Sequence, residues 1–297
     1  MFYVPPPRVE AAAWTRLPDQ FRDARPSEWA RWNRGGRAVD SFLEGPCLDA
    51  AGNLFVTDIP FGRVFRVSPQ GEWALVARYD GWPNGMKALP DGRLLITDYR
   101  RGLLRLDPAT GAVETLLETA RSEGFKGLND LCLGADGSVF LTDQGQTGLH
   151  DPTGRVWRLW PDGRLQCLIA TVPSPNGIVV APDLSFLLVA ATRAQQVWRL
   201  PLQGDGAVTK AGVFLWLPGG PGGPDGLAWD GRGNLLVAHT GIGTVWRASP
   251  RAEPTLRIAS PAGASTTNLC LAPDGAVLVT ESETGTILRA ALPPEDA

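Results

Sequence analysis

A fifteen-residue phrase recurs six times along this chain: EGPCLDAAGNLFVTD (44–58), NGMKALPDGRLLITD (84–98), NDLCLGADGSVFLTD (129–143), NGIVVAPDLSFLLVA (176–190), DGLAWDGRGNLLVAH (225–239) and TNLCLAPDGAVLVTE (267–281). Each copy reads as an apolar strand, a tight turn and a second apolar strand. Five turns contain D-G or G-N, which supplies the positive φ of a hairpin whose twist matches its strands; Asp183-Leu184-Ser185 is the exception. A third strand follows with its own signature, RVFRV (63–67), LLRL (103–106), RVWRL (155–159), QVWRL (196–200), TVWRA (244–248) and TILRA (286–290). A weaker fourth strand follows most copies, as in EWALVA at 72–77. Successive copies start 40, 45, 47, 49 and 42 residues apart, the differences between their first residue numbers. A period of roughly 40 to 50 residues with about four strands per unit predicts an all-β, six-bladed propeller with four-stranded blades.

No single blade can bury both of its faces, so the six must stack around a central channel. The sixth copy runs out of chain after its third strand. Ala13-Trp14-Thr15-Arg16-Leu17 is the expected source of the missing outer strand, which would tie the two ends together. The expected organisation is an N-terminal extension, 1–38, that closes the propeller and covers a rim, and one propeller domain, 39–297. The run DQFRDARPSEWARWNRGG within the extension reads as a short helix.

Composition excludes several classes of partner. A formal charge of −3 offers no basic face to a phosphate backbone, so no nucleic acid is expected. The opening MFYVPPPRVEAAAW has neither a basic n-region nor an apolar h-region, and no apolar run approaches the ~20 residues of a membrane span. The expectation is a cytoplasmic protein with no membrane partner, a monomer or small homo-oligomer. Cys47, Cys132, Cys167 and Cys270 follow no C-x-x-C spacing and read as reduced packing thiols.

The first strand of a propeller blade lines the channel, so one phrase position repeated in six blades forms a ring at one depth. The first position reads Glu44, Asn84, Asn129, Asn176, Asp225 and Thr267. Glu44, Asn129, Asn176 and Asp225 bring two carboxylates and two amide carbonyls to the axis, with no histidine or thiol among them. Such hard oxygen donors suit Ca²⁺, Mg²⁺ or Mn²⁺, and two anionic ligands would neutralise a divalent ion. The last position, Asp58, Asp98, Asp143, Ala190, His239 and Glu281, is expected to open on the same face of the channel.

EGP at 44–46, ND at 129–130, PNG at 175–177 and PDG at 224–226, in that order in successive blades, resemble the senescence-marker-protein, gluconolactonase and luciferin-regenerating-enzyme family. Diisopropyl fluorophosphatase shares the same arrangement. The resemblance spans roughly residues 40 to 290. It implies a lactone-hydrolysing propeller with one catalytic divalent cation held by Glu44, Asn129, Asn176 and Asp225. Calcium is the first expectation, with manganese, zinc or iron as the alternatives that family members use. Sugar-lactone members often carry Arg two residues before the residue that corresponds to Asn129; here Gly127 stands there, with Lys126 one residue earlier.

The expected partner is a small-molecule lactone, with Asp225 acting as general base for the attacking water or as nucleophile. The alternatives are a phosphotriester or fluorophosphate hydrolase on the same site, and a non-catalytic binding scaffold. Candidate substrate contacts are Asn84 with Trp82 beside it, Tyr99, Arg100, Lys126, Arg193 and His239. Arg66, Arg105, Arg158, Arg199, Arg247 and Arg289 recur in every third strand and read as structural, as do Trp157, Trp198 and Trp246.

Overall fold

The structure is a computed structural model that describes residues 5–293. Residues 1–4 of the N-terminal extension and 294–297 at the other end lie outside the described residues. The six phrases fold as the two inner strands of six antiparallel blades. Blade one comprises Leu43–Leu48, Leu54–Asp58, Arg63–Val67 and Trp73–Arg78 from the channel outwards. The innermost strands of the next five blades are Pro83–Ala88, Leu128–Leu133, Pro175–Val180, Gly223–Trp229 and Thr266–Leu271.

The N-terminal segment closes the ring. Ala12–Arg16 pairs antiparallel with Thr286–Ala290 as the outer strand of blade six. Arg8–Glu10, which the sequence does not mark, pairs in parallel with Pro254–Ala259 and gives blade five a fifth strand. The expected helix forms as α1, Glu28–Asn33, with Ser27 accepting a hydrogen bond from the Ala30 amide at its N-cap.

Six hydrophobic clusters fill the spaces between consecutive blades. Phe55, Val64, Met86 and Ile96 join blades one and two, and Leu17, Leu43, Phe65, Leu278 and Ile287 join six to one. Alternation along each strand sends one face into each neighbouring cluster, so both faces of every blade are buried. The repeated tryptophans fall in these clusters, as their regularity predicts. Three of the third-strand arginines form ion pairs within their own blades, Arg105 with Glu114 at 2.6 Å, Arg158 with Asp136 at 2.5 Å and Arg289 with Asp274, while Arg199 lies over the Phe186 ring. In the exceptional turn, Leu184 takes a left-handed φ of 60°, while Asp183 accepts hydrogen bonds from the Ser185 amide and hydroxyl. All four cysteines are free thiols. Among the described residues no helix is long and apolar enough to cross a membrane.

The glycine at the second phrase position governs how closely neighbouring blades approach the channel. A Cβ on Gly177 would stand 2.2 Å from the Asp225 carbonyl oxygen and 2.7 Å from the Leu227 nitrogen, both backbone atoms that cannot swing aside. Gly177→Ala should therefore destabilise the fold by about 3 kcal/mol, by the overpacking it forces at a backbone contact. Urea denaturation would check this; a midpoint unchanged from wild type would show that the blades tolerate a wider channel.

Candidate metal centre and active site

Every innermost strand shifts register just after its first phrase residue, between Glu44 and Cys47 in blade one and at the corresponding place in the other five. A bulge bends its strand and re-aims a side chain. Here it turns the first-position residues towards one cavity of about 830 Å³, lined by Glu44, Asn84, Asn129, Asn176 and Asp225. Threonine hydroxyls fix the ring's depth. Thr57 donates to the carbonyl of Asn84 at 2.7 Å, Thr97 to that of Asn129 at 2.5 Å and Thr142 to that of Asn176 at 2.7 Å, each from one blade to the next. The sixth member, Thr267, turns away and donates to the Leu43 carbonyl.

The donor set fits a hard cation on two observations. Asn84 Oδ1, Asn129 Oδ1 and Asp225 Oδ1 are buried with no hydrogen-bond partner among the described residues. Such orphaned acceptors are costly unless a donor or cation meets them. The Asn129 amide is oriented with its oxygen to the cavity, because its Nδ2 donates to Gln144 Oε1 at 3.1 Å and Gln144 Nε2 in turn donates to Ser174. Glu44 is held through Oε2, which accepts from the Gly45 amide at 2.9 Å and from Asn268 Nδ2 at 3.0 Å. Among the described residues no group of three or more His, Cys, Asp or Glu side chains is placed to hold a metal, so this ring must rely on its amide oxygens.

The second observation is crowded negative charge. Burial lifts the Glu44 carboxyl to about 7. Burial also lifts Asp225 well above the ordinary carboxylate range, reinforced by the charges of Glu44 and Asp130. Asp130 is raised by burial and partly relieved by Lys87. Burial pulls the half-buried Lys87 ammonium down, but Asp130, aided by Cys47, Cys132 and Cys270, pushes it up by more. A divalent cation would relieve three carboxylates that share a dry channel with one lysine.

Tyr99 and Arg193 also line the cavity. Tyr99 takes the space that a side chain at 127 would need, since a Cβ on Gly127 would lie 2.6 Å from its ring; its hydroxyl accepts from Gln146 at 2.9 Å. The other four expected substrate contacts stand elsewhere. Lys126 is exposed in the loop that precedes Leu128–Leu133 and donates to Thr153 at 2.8 Å, which ties it to the neighbouring loop instead of the cavity. Arg100 pairs with Asp80 at 2.9 Å and lies over the Trp82 ring. Trp82 is packed behind Tyr99 with Trp29 and Ile59. His239 is buried, with Nδ1 accepting from Trp246 Nε1 at 3.2 Å and Nε2 left to donate to the Gly219 carbonyl at 3.1 Å. Both ring nitrogens are thus engaged, and burial lowers its basicity further.

The last phrase position does not join the ring. Its carboxylates pin loops: Asp58 accepts from the Phe42 amide and Arg63, Asp143 from the Gly127 amide, Arg155 and Trp157, and Glu281 from the Ser265 and Glu283 amides. Being one residue beyond the threonine that faces the next blade, these side chains point the other way. Two residues that matter were not among the expected site residues, Asp130, quoted only within ND at 129–130, and Asn268. They are the only non-glycines at the second phrase position, and Asn268 Nδ2 bridges Glu44 to Asp130 Oδ2 at 3.5 Å. That break in the glycine column was the available signal.

A profile of the SMP-30/Gluconolactonase/LRE-like region matches residues 42–282. A gluconolactonase from Zymomonas mobilis subsp. mobilis is 30% identical over 212 residues, covering 66% of this chain and 59% of that protein. The diisopropyl-fluorophosphatase of Loligo vulgaris is 26% identical over 246 residues, covering 73% and 78%. The crystal structure of a calcium-binding protein, regucalcin, from Agrobacterium tumefaciens superposes with a TM-score of 0.75 at 23% identity, covering 96% of this chain and 95% of that one; it shows the shared fold. The chain spans somewhat under three fifths of the length of the first two curated relatives, 59% and 57%.

Proposed function

The chain belongs to the SMP-30/gluconolactonase/LRE-like family, and from that premise we propose that it hydrolyses a lactone at the channel mouth, with one divalent cation held by Glu44, Asn129, Asn176 and Asp225. What supports this most is the convergence of the unpartnered Asn129 and Asp225 Oδ1 atoms with Glu44 and Asn176 on one cavity. Calcium is the first choice because all four donors are hard oxygens, and Mn²⁺, Zn²⁺ and Fe²⁺ follow. A bound cation would supply Lewis acidity, polarising the lactone carbonyl and offsetting the charge that grows on its oxygen.

The protein's own residues supply the rest. The Asp225 carboxylate accepts a proton from the attacking water as the water oxygen bonds to the carbonyl carbon. When the ring C–O bond breaks, the same carboxyl returns that proton to the departing alkoxide, so lactone and water become a hydroxy acid. Asn129, fixed through Gln144, and Glu44, fixed through Asn268, hold the donor set rigid. Asn84 Oδ1 is positioned to accept a hydrogen bond from a substrate hydroxyl, and Tyr99 walls the pocket. Asp225 attacking the carbonyl directly is the second mechanism the same residue allows.

Proton release from aldonolactones, aliphatic lactones, a phosphotriester and a fluorophosphate, each with Ca²⁺, Mn²⁺, Zn²⁺ or Fe²⁺, tests the assignment. Aldonolactone hydrolysis is the expected outcome, in keeping with the name of the Zymomonas relative. Turnover of the phosphorus substrates alone, as the Loligo relative's name would suggest, would replace the lactonase reading. Turnover of none would favour a binding scaffold.

A further inference from the structure

The channel mouth is covered by chain that precedes the family-matched region. The match begins at residue 42, yet Trp29, Arg34 and Arg37 line the same cavity as Glu44 and Asp225. This cover is seated by its own core: Trp29 and Ala30 of α1 are buried against Ile59 and Trp82, and the Trp29 and Phe42 rings lie 4.7 Å apart. Arg34 follows α1 as its C-cap, and its guanidinium lies 4.6 Å from the Phe42 ring centre, which fixes it by stacking. Arg193, from the turn Thr192–Ala194 on the opposite side, completes a set of three guanidinium groups over the ring.

None of the three forms an ion pair among the described residues, whereas the arginines nearby that serve structure do, Arg22 with Asp40 at 2.9 Å and Arg63 with Asp58 at 2.5 Å. Arg193 makes only a long contact of 3.4 Å to the Pro221 carbonyl. The acids nearest the mouth are otherwise engaged: Asp40 holds Arg22, and Glu283 accepts from the Ala264 amide at 2.8 Å. The two ring carboxylates would be balanced by a divalent cation, which leaves three positive forks facing the cavity. Planar guanidinium groups fit carboxylate and phosphate oxygens in pairs; Arg34 is half-buried, while Arg37 and Arg193 are exposed at the mouth.

We propose that the mouth selects a lactone bearing an anionic substituent, a carboxylate or a phosphate, which Arg34, Arg37 and Arg193 grip while the ester carbonyl faces Asp225. This rests on the lactonase reading for its chemistry but not for its binding. The cover supplies Arg34 and Arg37 to the cavity, and Arg193 joins them from the turn after blade four's second strand.

Two measurements on the metal-loaded full chain test it. In the first, kcat/KM is compared for a neutral six-carbon aldonolactone and its counterparts carrying a terminal carboxylate or a terminal phosphate. At least one anionic substrate should be preferred by about tenfold or more, the preference should shrink with added salt, and whichever wins names the substituent. The second uses calorimetry on the open-chain acids, which share one carboxylate and differ in the second anionic group. The doubly anionic acid should bind about tenfold tighter, and Arg34→Gln or Arg193→Gln should erase most of that difference. Arg193 lies outside the cover, so its variant keeps the test decisive if Arg34→Gln unseats α1. Equal binding of the acids, or a difference that survives both variants, would overturn the proposal. Absence of lactone turnover would sink only the lactonase reading, because the binding comparison stands without it.

Discussion

Asp225→Asn should lower kcat on the best lactone by about a thousandfold or more while leaving the protein folded and able to bind its cation more weakly. The substitution keeps the volume and one oxygen but removes the group that can accept a proton. The effect should be large because no other base stands at this point of the ring. Of its neighbours, Asn129 and Asn176 are amides, and Glu44 is held by two hydrogen bonds on Oε2. His239, the one buried histidine, has both ring nitrogens engaged away from the cavity. Stopped assays of kcat at saturating metal, paired with calorimetry of metal binding, separate the roles. Full activity in the variant would remove both the base and the nucleophile mechanisms together.

Glu44→Gln should act on the metal first. A cation present at a hundred times its dissociation constant stabilises the folded state by about 2.7 kcal/mol. Removing one of two anionic ligands should weaken binding about a hundredfold, so the same concentration would contribute only about 0.4 kcal/mol. The thermal shift on adding metal should thus almost vanish. Glutamine retains one acceptor oxygen for the Gly45 amide and Asn268, so the blade itself should stay intact. A metal-induced shift as large as that of wild type would show that Glu44 is not part of the cation site.

The blades and their order could be read from the sequence because hairpin turns and apolar alternation are local, and repetition multiplied a weak signal sixfold. The ring was legible for the same reason: Glu44, Asn84, Asn129, Asn176 and Asp225 share one phrase position and line one cavity. The last phrase position lies beside the first at one end of the channel, where Leu43 pairs with Asp58 and Leu128 with Asp143, but pleating sends Asp58, Asp143 and Glu281 to loop amides and not to the ring. Thr57, Thr97 and Thr142, one residue earlier, carry the contacts to the ring, and their hydroxyls were hidden among strand residues.

Side-chain direction also separated Tyr99 and Arg193, which reach the cavity, from Lys126 and Arg100, which face solvent partners. The cover was the least legible part. Residues 24–41 carry no repeat, so nothing in periodicity could place Arg34 and Arg37 over the channel. Only the burial of Trp29 against Trp82 and Ile59, a contact between distant parts of the chain, puts them there.

The most direct test of the proposed metal-dependent lactonase activity is to strip the full chain with chelator and titrate one ion back, following bound metal by calorimetry and aldonolactone hydrolysis by proton release on the same samples. Activity that is lost on stripping and returns in proportion to occupancy, reaching its full value at one ion per chain, is the predicted result. Hydrolysis that persists in the stripped protein, or metal that binds without restoring it, would contradict the account.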